Sequence, residues 1–462
     1  MTDGHTDLET DLGKAVASLA AYIDRCRFFV VLAPTVVHED GHIVDYLTWK
    51  SRGWCRFERF ARVMSSSADN TMVLVRGEQA VFQIGAHDYL FDPLGLGDFS
   101  VENDKYSLAR LAKDILKGKL GELLRTGQMH EYRSLLAMRN CLLEGLPTAW
   151  GDMSPFSRHA DVFDDFMDDF KLVSPTAEVA GSWPLTFATV LGDTRIMEAL
   201  IDRRACVNCR ERRTDPAHYR TRGMRPLHMA AAFGHVAALD LLLRHRADIN
   251  AQDTNGGTIL LCCVKDSDRF VRSALEMRAD TGKRNLFGMS PLDAAAAHGR
   301  ESTVEIFLAA GHSLRACADG LNALHSVAMF SGDVKITRLL VEAGASLEDT
   351  IAPRFGRPWW TVLTAWSLSY RCGVVNFFSM FGHHFFGMTP LMVAQVFGNV
   401  SLARVMLDLG ADPEARNARG FTASDLEREF ARLREGAMAK GPPRHSRHSS
   451  VLPVPWVDDA LS

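Results

Sequence analysis

Three clusters of residues in this chain have types and spacings that could do chemistry. His38-Glu39-Asp40-Gly41-His42 fits H-E-x-x-H. On a helix this spacing puts both imidazoles on one face to hold zinc, with the glutamate as general base. Asp164-Asp165-Phe166-Met167-Asp168 offers paired carboxylates of the kind that hold magnesium. Cys206-Val207-Asn208-Cys209 is a C-x-x-C of redox or metal-binding form. Each needs a particular setting, and the surrounding sequence supplies a plainer one. Pro34 closes an apolar run just before the first cluster, and Asp40-Gly41 favours a turn, so a solvated loop is the better reading. Phe163, Phe166 and Phe170 alternate with the acids at helical spacing, which makes those carboxylates the solvated face of an amphipathic helix. The two cysteines have no second C-x-x-C to complete four ligands, and cysteine is a small side chain that buries well.

The elements around these clusters are those of a folded, multi-part chain. The 462 residues are 47% hydrophobic and 23% charged, which excludes a wholly disordered or collagen-like protein. Lys and Arg number 52 against 56 Asp and Glu, so no basic footprint for nucleic acid or an anionic membrane is present. Nine cysteines, an odd and ordinary count, argue for a reducing compartment and against a disulfide scaffold. The acidic N-terminus has no apolar core of a targeting peptide. Pro358–Phe381 is apolar enough to suggest a membrane span, but Thr, Ser, Asn and Arg371 interrupt it, and a buried segment is expected instead.

Self-similarity dominates the second half. Gly223, Gly256, Gly288, Gly320, Gly387 and Gly420 open related strings, at steps of 33, 32, 32, 67 and 33. The string from Gly223, GMRPLHMAAAFGHVAALDLLLRHRADINAQD, reads as a proline at the first turn of a short helix, a closing glycine at 234, a second helix, and an extended finger. An upstream copy begins at Trp183-Pro184-Leu185 and carries an insertion around residues 213–221. The 67-residue step is two periods, so a degenerate repeat is expected over about 348–386. The string GGTILLCCVKDSDRF lacks the proline and histidine and should be the loosest joint. The period and the P-L-H, G-H and A-D-x-N elements resemble the ankyrin repeat over roughly 181–430. That resemblance implies an α-solenoid of six to seven repeats, a concave protein-binding surface, no cofactor and no chemistry. In that phase the finger tips are Asp253-Thr254-Asn255, Asn285-Leu286-Phe287, Cys317-Ala318-Asp319 and Asn417-Ala418-Arg419. Asp253, Asn255, Asn285, Leu286, Phe287, Asp319, Asn417 and Arg419 are therefore the candidate partner-binding residues.

Residues 1–125 follow another grammar. Helical spacing over Asp11–Arg25 precedes the apolar run RFFVVLAP, read as a strand buried on both faces. A helix from Trp54 to Val63 and a second apolar strand, Asn70–Val75, give an α/β order. The phrase from Phe28 to Pro34, with Trp54, Cys55 and Glu58 in W-C-x-x-E, resembles the middle of a TIR domain. The resemblance implies a small flavodoxin-like α/β unit. With 27 residues ahead of its first strand, the unit is expected to be incomplete. Some TIR proteins cleave NAD, and the resemblance would then give Glu58 the role of holding the ribose and stabilising an oxocarbenium-like centre.

The expected organisation is an incomplete TIR-like α/β domain over 1–125, a helical linker or N-terminal cap over 126–180, ankyrin repeats over 181–430, and a disordered tail over 431–462 that holds Trp456. The expected function is that of a cytoplasmic adaptor in signalling. It would bind a protein partner through the concave face, with no nucleic acid and no membrane span. The alternative is a TIR-type NAD-cleaving enzyme regulated by its repeats.

Overall fold

The computed structural model describes residues 11–34, 36–40, 43–44, 46–65, 72–77, 80–84, 92–147, 161–215, 218–263, 267–314, 319–356 and 358–439. They fall into two compact units divided after Ala247.

The first unit opens with the expected helix Asp11–Arg25, then β1 (Phe29–Leu32), β2 (Val36–Val37) and β3 (Ile43–Val44). Helices Tyr46–Ser51 and Gly53–Met64 follow, then β4 (Met72–Gly77) and β5 (Ala80–Ile84). β1 pairs parallel to β4, with Phe29 opposite Met72. β5 adds an antiparallel edge to β4 that the sequence reading did not include. The expectation that β1 is buried on both faces is corrected. Val31 packs with Ala33, Tyr46, Met72 and Leu74, whereas Val30 and Leu32 are 51% and 71% exposed. The strand alternates because one face alone meets helices. Helix Gly53–Met64 is fixed by two buried arginines. Arg59 reaches Asp92 at 2.6 Å, and Arg62 donates to the carbonyls of Cys26 and Arg27.

Helix Asp104–Arg125 leads to helix Met129–Leu142, which packs on the inner helix of the first repeat, Pro184–Leu191. Helix Val162–Asp169 packs on that repeat's outer helix, Thr194–Asp202. Tyr132 Oη donates to Asp169 O at 2.8 Å, and Arg133 donates to Phe170 O at 2.7 Å. These two helices thus form a cap that imitates a repeat, and Phe163, Phe166 and Phe170 are its buried face. The second repeat is Pro226–Ala232 with Val236–Arg244.

The second unit stacks four helix pairs: Ile259–Cys262 with Ser267–Glu276, Pro291–Ala297 with Glu301–Ala309, Ala323–Ser331 with Val334–Glu342, and Pro390–Val396 with Val400–Asp408. Helix Ala423–Ala439 closes the stack, so 431–439 are helical rather than part of a disordered tail. The remaining residues of that tail, with Trp456, lie outside the described residues. A proline at the first helical position fits Pro291 and Pro390 to the start of seven-residue inner helices. The string without that proline gives an inner helix of four residues, Ile259–Cys262.

The expectation of a degenerate repeat at 348–386 is corrected. The helices of 323–342 stack directly on those of 390–408. Ile351 N donates to Met388 O at 3.1 Å, and Gly387 N donates to Ile351 O at 2.7 Å, which closes one finger across the whole segment. Asn399 Nδ2 donates to Ala328 O at 2.8 Å, tying the two inner layers together. The intervening residues leave the finger as a helical hairpin, Pro358–Arg371 and Phe377–His384. Its helices cross closely at Gly382, where a Cβ would lie 2.5 Å from Trp366 Cβ. The hairpin is only partly buried, contrary to the expectation for Pro358–Phe381. Leu363 is fully buried, while Leu368 is 59% exposed. No helix among the described residues is long and apolar enough to cross a membrane.

An inserted hairpin should be dispensable to the stack. Joining Ala352 to Phe386 through a short glycine-containing tip should keep the circular dichroism of the flanking helices and a cooperative unfolding transition. The loss should be about 2–4 kcal/mol, from uncovering Phe397 and Phe430. Unfolding of the 390–439 helices in that variant, read by hydrogen exchange, would show instead that the segment is a structural layer.

Candidate functional site

The finger tips share one local design. Asp253 accepts the N–H groups of Asn255 and Gly257 at 2.9 and 2.7 Å. Asn285 accepts those of Phe287 and Met289 at 3.0 and 2.9 Å. Asn417 accepts those of Arg419 and Phe421, both at 3.0 Å. Such short polar side chains hold tight turns by bonding their own backbone two residues on. Burial pushes the Asp253 carboxyl up, and the two backbone donors partly offset this. Neighbouring tips are then joined to each other. Leu286 N donates to Asn255 O at 2.8 Å, Ala352 N to Asp319 O at 2.8 Å, and Ala418 N to Phe386 O at 2.9 Å.

The candidate residues therefore divide. Asp319 and Asn417 are corrected as surface contacts, because both are buried. Asp319 accepts from Arg354 N, and Asn417 Nδ2 donates to His384 O. Asp253 and Asn285 are half-buried and committed to their own turns. Asn255 and Phe287 are half-buried, whereas Leu286 is 46% exposed. Arg419 is exposed, with its Nε donating to His383 O.

That last contact belongs to a covering that sequence reasoning missed. The hairpin lies against the inner helices of the last layers. Phe377 and Phe381 meet Phe397 at ring distances of 5.3 and 5.6 Å, and Phe377 meets Phe430 at 5.5 Å. His384 sits 4.7 Å from the Phe421 ring and 3.3 Å from Glu429, which also accepts from Tyr370 Oη. Burial pushes the His384 imidazole down against the pull of Glu429. Apolar side chains on the hairpin and just before it are open to solvent. Phe355 is 84% exposed, and Val374 and Val375 are 52% and 58% exposed.

The other clusters take their plainer roles where the structure describes them. His38 to Asp40 form a turn between the paired strands β2 and β3, with His38 Nδ1 3.1 Å from Asp40. That is a loop and not the helix that H-E-x-x-H needs, while Gly41 and His42 lie outside the described residues. Asp164 and Asp168 are exposed on the cap helix. Cys209 is buried, and its thiol is pushed up to about 12 by burial, then by Glu211 and Cys206, so it stays protonated. Glu58 is half-buried in helix Gly53–Met64. Burial pushes its carboxyl up, and Arg52 is the charge that opposes this. Trp54 Nε1 donates to Asp104 at 2.9 Å and pins the start of that helix.

Comparison with known proteins agrees with the stack. A family model described as ankyrin repeats (many copies) matches 227–268, one described as ankyrin repeats (3 copies) matches 259–351, and one described as ankyrin repeat matches 386–418. The unmatched interval between the last two is the inserted hairpin. The chain is 26% identical over 257 residues to the ankyrin repeat protein nuc-2 of Neurospora crassa, covering 52% of this chain and 21% of that protein. It is 27% identical over 136 residues to the transient receptor potential cation channel subfamily A member 1 of Homo sapiens, covering 27% and 12%. The match therefore spans about a fifth or less of these relatives. Among solved structures, the human ASB11 ankyrin repeat domain is 25% identical, with 57% of this chain and 100% of that one covered and a TM-score of 0.39. The ankyrin repeat domain of Bcl-3 is 18% identical, with 55% and 99% covered and a TM-score of 0.38. Ankyrin repeats are in general protein-interaction modules, typically without catalysis. Recurring inner and outer helices, tip-to-tip fingers and three family matches lead to one conclusion: the chain carries an ankyrin-repeat solenoid.

Proposed function

We propose that this chain is an adaptor that binds a protein partner through the fingers and inner helices of its second unit, in a cytoplasmic signalling assembly, with no reaction of its own. The supporting observation is apolar exposure: Leu286 at a finger tip, Phe355 just before the hairpin, and Leu368, Val374 and Val375 on it. Exposed aliphatic and aromatic groups rimmed by polar residues are what a partner can desolvate. The hairpin covers the inner side of the last layers, so the partner meets the earlier fingers around 253–257 and 285–288 and the open side of the hairpin. A standard footprint would be about 1,200–2,000 Å² in total.

The test is affinity selection of partners on the full chain, followed by variants. Leu286→Asp should weaken the selected partner at least about tenfold, since burying an unpaired charge at an interface costs more than about 1.4 kcal/mol. Arg338→Glu, on an outer helix, should leave binding unchanged. Equal loss in both variants, or loss in the outer-helix variant alone, would refute the assignment of this face.

A further inference from the structure

The insertion in the first finger brings together three side chains that the adaptor reading does not use. His130 stands in the first turn of the cap helix Met129–Leu142. Asp215, 85 residues further along the chain, and His218 belong to the inserted loop. Asp215 Oδ2 lies 2.7 Å from His130 Nε2 and 2.7 Å from His218 Nδ1. All three atoms lie within 4.8 Å of one another. The two imidazole rings are nearly perpendicular, at 88°, so they approach the carboxylate from different directions. The three side chains are 14–19% exposed, close enough to solvent for an ion to enter.

We propose that His130, Asp215 and His218 form a binding site for a divalent transition-metal ion of the zinc type. Two imidazoles and one carboxylate are a borderline donor set suited to such an ion, and three protein ligands leave a position for water. The loop presets the geometry. Asp215 N donates to Arg220 O at 2.7 Å and Arg220 N to Asp215 O at 2.9 Å, closing the turn that points Asp215 and His218 the same way. Arg220 is buried, donates to Ser182 and lies 4.0 Å from Glu211, so its charge is shared between Glu211 and Asp215. A tetrahedral ion at about 2.0–2.2 Å from each atom sets them about 3.3–3.6 Å apart, so each imidazole draws back from the carboxylate by about 0.6–0.9 Å.

The state without metal is a hydrogen-bonded triad in which both imidazoles donate to Asp215. Binding moves the His130 proton to Nδ1, a buried atom without a hydrogen-bond partner among the described residues. The affinity should therefore be weaker than that of closed four-ligand sites. Bound metal would staple the cap helix to the first finger and hold the end of the solenoid closed.

The experiment is titration of the metal-free full chain with zinc chloride by calorimetry, alongside Asp215→Asn, His130→Gln and the exposed-thiol control Cys206→Ser. Wild type and Cys206→Ser should each take up one equivalent, with a Kd of about 10 μM or below. Asp215→Asn and His130→Gln, with unchanged circular dichroism, should bind at least about tenfold more weakly. If either variant fails to fold, cobalt substitution of the wild type decides: absorption from nitrogen and oxygen ligation supports the site, and a thiolate charge-transfer band overturns it. Absence of binding, or equal affinity in wild type and Asp215→Asn, also overturns it.

Discussion

Gly320→Ala should destabilise the second unit by roughly 4 kcal/mol or more, whereas Gly344→Ala should cost about 1–2 kcal/mol. Both glycines are left-handed, with φ of 81° and 97°. A Cβ pays for that conformation at either position. The difference is space. At Gly344 an added Cβ has nothing within 4 Å, but at Gly320 it would fall 1.9 Å from Thr350 O. That oxygen is backbone of the next finger and cannot rotate away. Moving it would also pull Ala352 N from Asp319 O and Arg354 N from the Asp319 carboxylate. The substitution thus separates two fingers at the point where the inserted hairpin departs. Urea midpoints of the two variants check it, and equal shifts would mean that finger contact contributes little.

Acid should loosen the same joint through His325. Its ring is fully buried, with Nδ1 accepting from Asn322 N at 3.2 Å and Nε2 donating to Met388 O at 3.3 Å, just beyond the hairpin. Burial depresses its pKa from 6.5 to about 4. Below about pH 6.5 the unfolded chain takes up a proton here, and the folded chain does not until about pH 4. The unfolded state binds more protons across that window, so stability falls as pH falls. The full difference is about 3 kcal/mol. His325→Gln can keep both polar contacts without titrating, and its stability should be flatter between pH 6.5 and 4. Parallel pH profiles for wild type and variant would contradict this role. Burial depresses His312 to about 4 as well, so an acid limb should persist in the variant, only reduced.

The repeat was legible in the sequence because its punctuation is backbone chemistry. Proline begins an inner helix and glycine closes it eight residues later: Pro184 to Gly192, Pro226 to Gly234, Pro291 to Gly299, Pro390 to Gly398. The same rule exposes the inserted hairpin. After Pro358 the next glycine is Gly373, fifteen residues on, which gives a helix twice the length of an inner helix. Step length alone hid this, because an insertion of about one period keeps the phase. The finger tips were legible as positions but not as roles. Asp253, Asn285 and Asn417 each precede an opening glycine by three residues, the place of a side chain that caps a turn, so their polarity serves the finger. β1 misled for another reason. A continuous apolar run does not say how many faces are covered, and β1 is covered on one. The His130, Asp215 and His218 cluster had no sequence signal, since His130 lies 85 residues before Asp215 and only the docking of the cap on the loop joins them.

The most direct measurement is hydrogen exchange of the full chain with and without a partner recovered on it. Binding through the finger side predicts slowed exchange at 253–257 and 285–288 and on the hairpin around 368–375, with the outer helices Glu301–Ala309 and Val334–Glu342 unchanged. Slowed exchange confined to those outer helices, or to residues 29–64 of the α/β part, would contradict it and place recognition elsewhere in the chain.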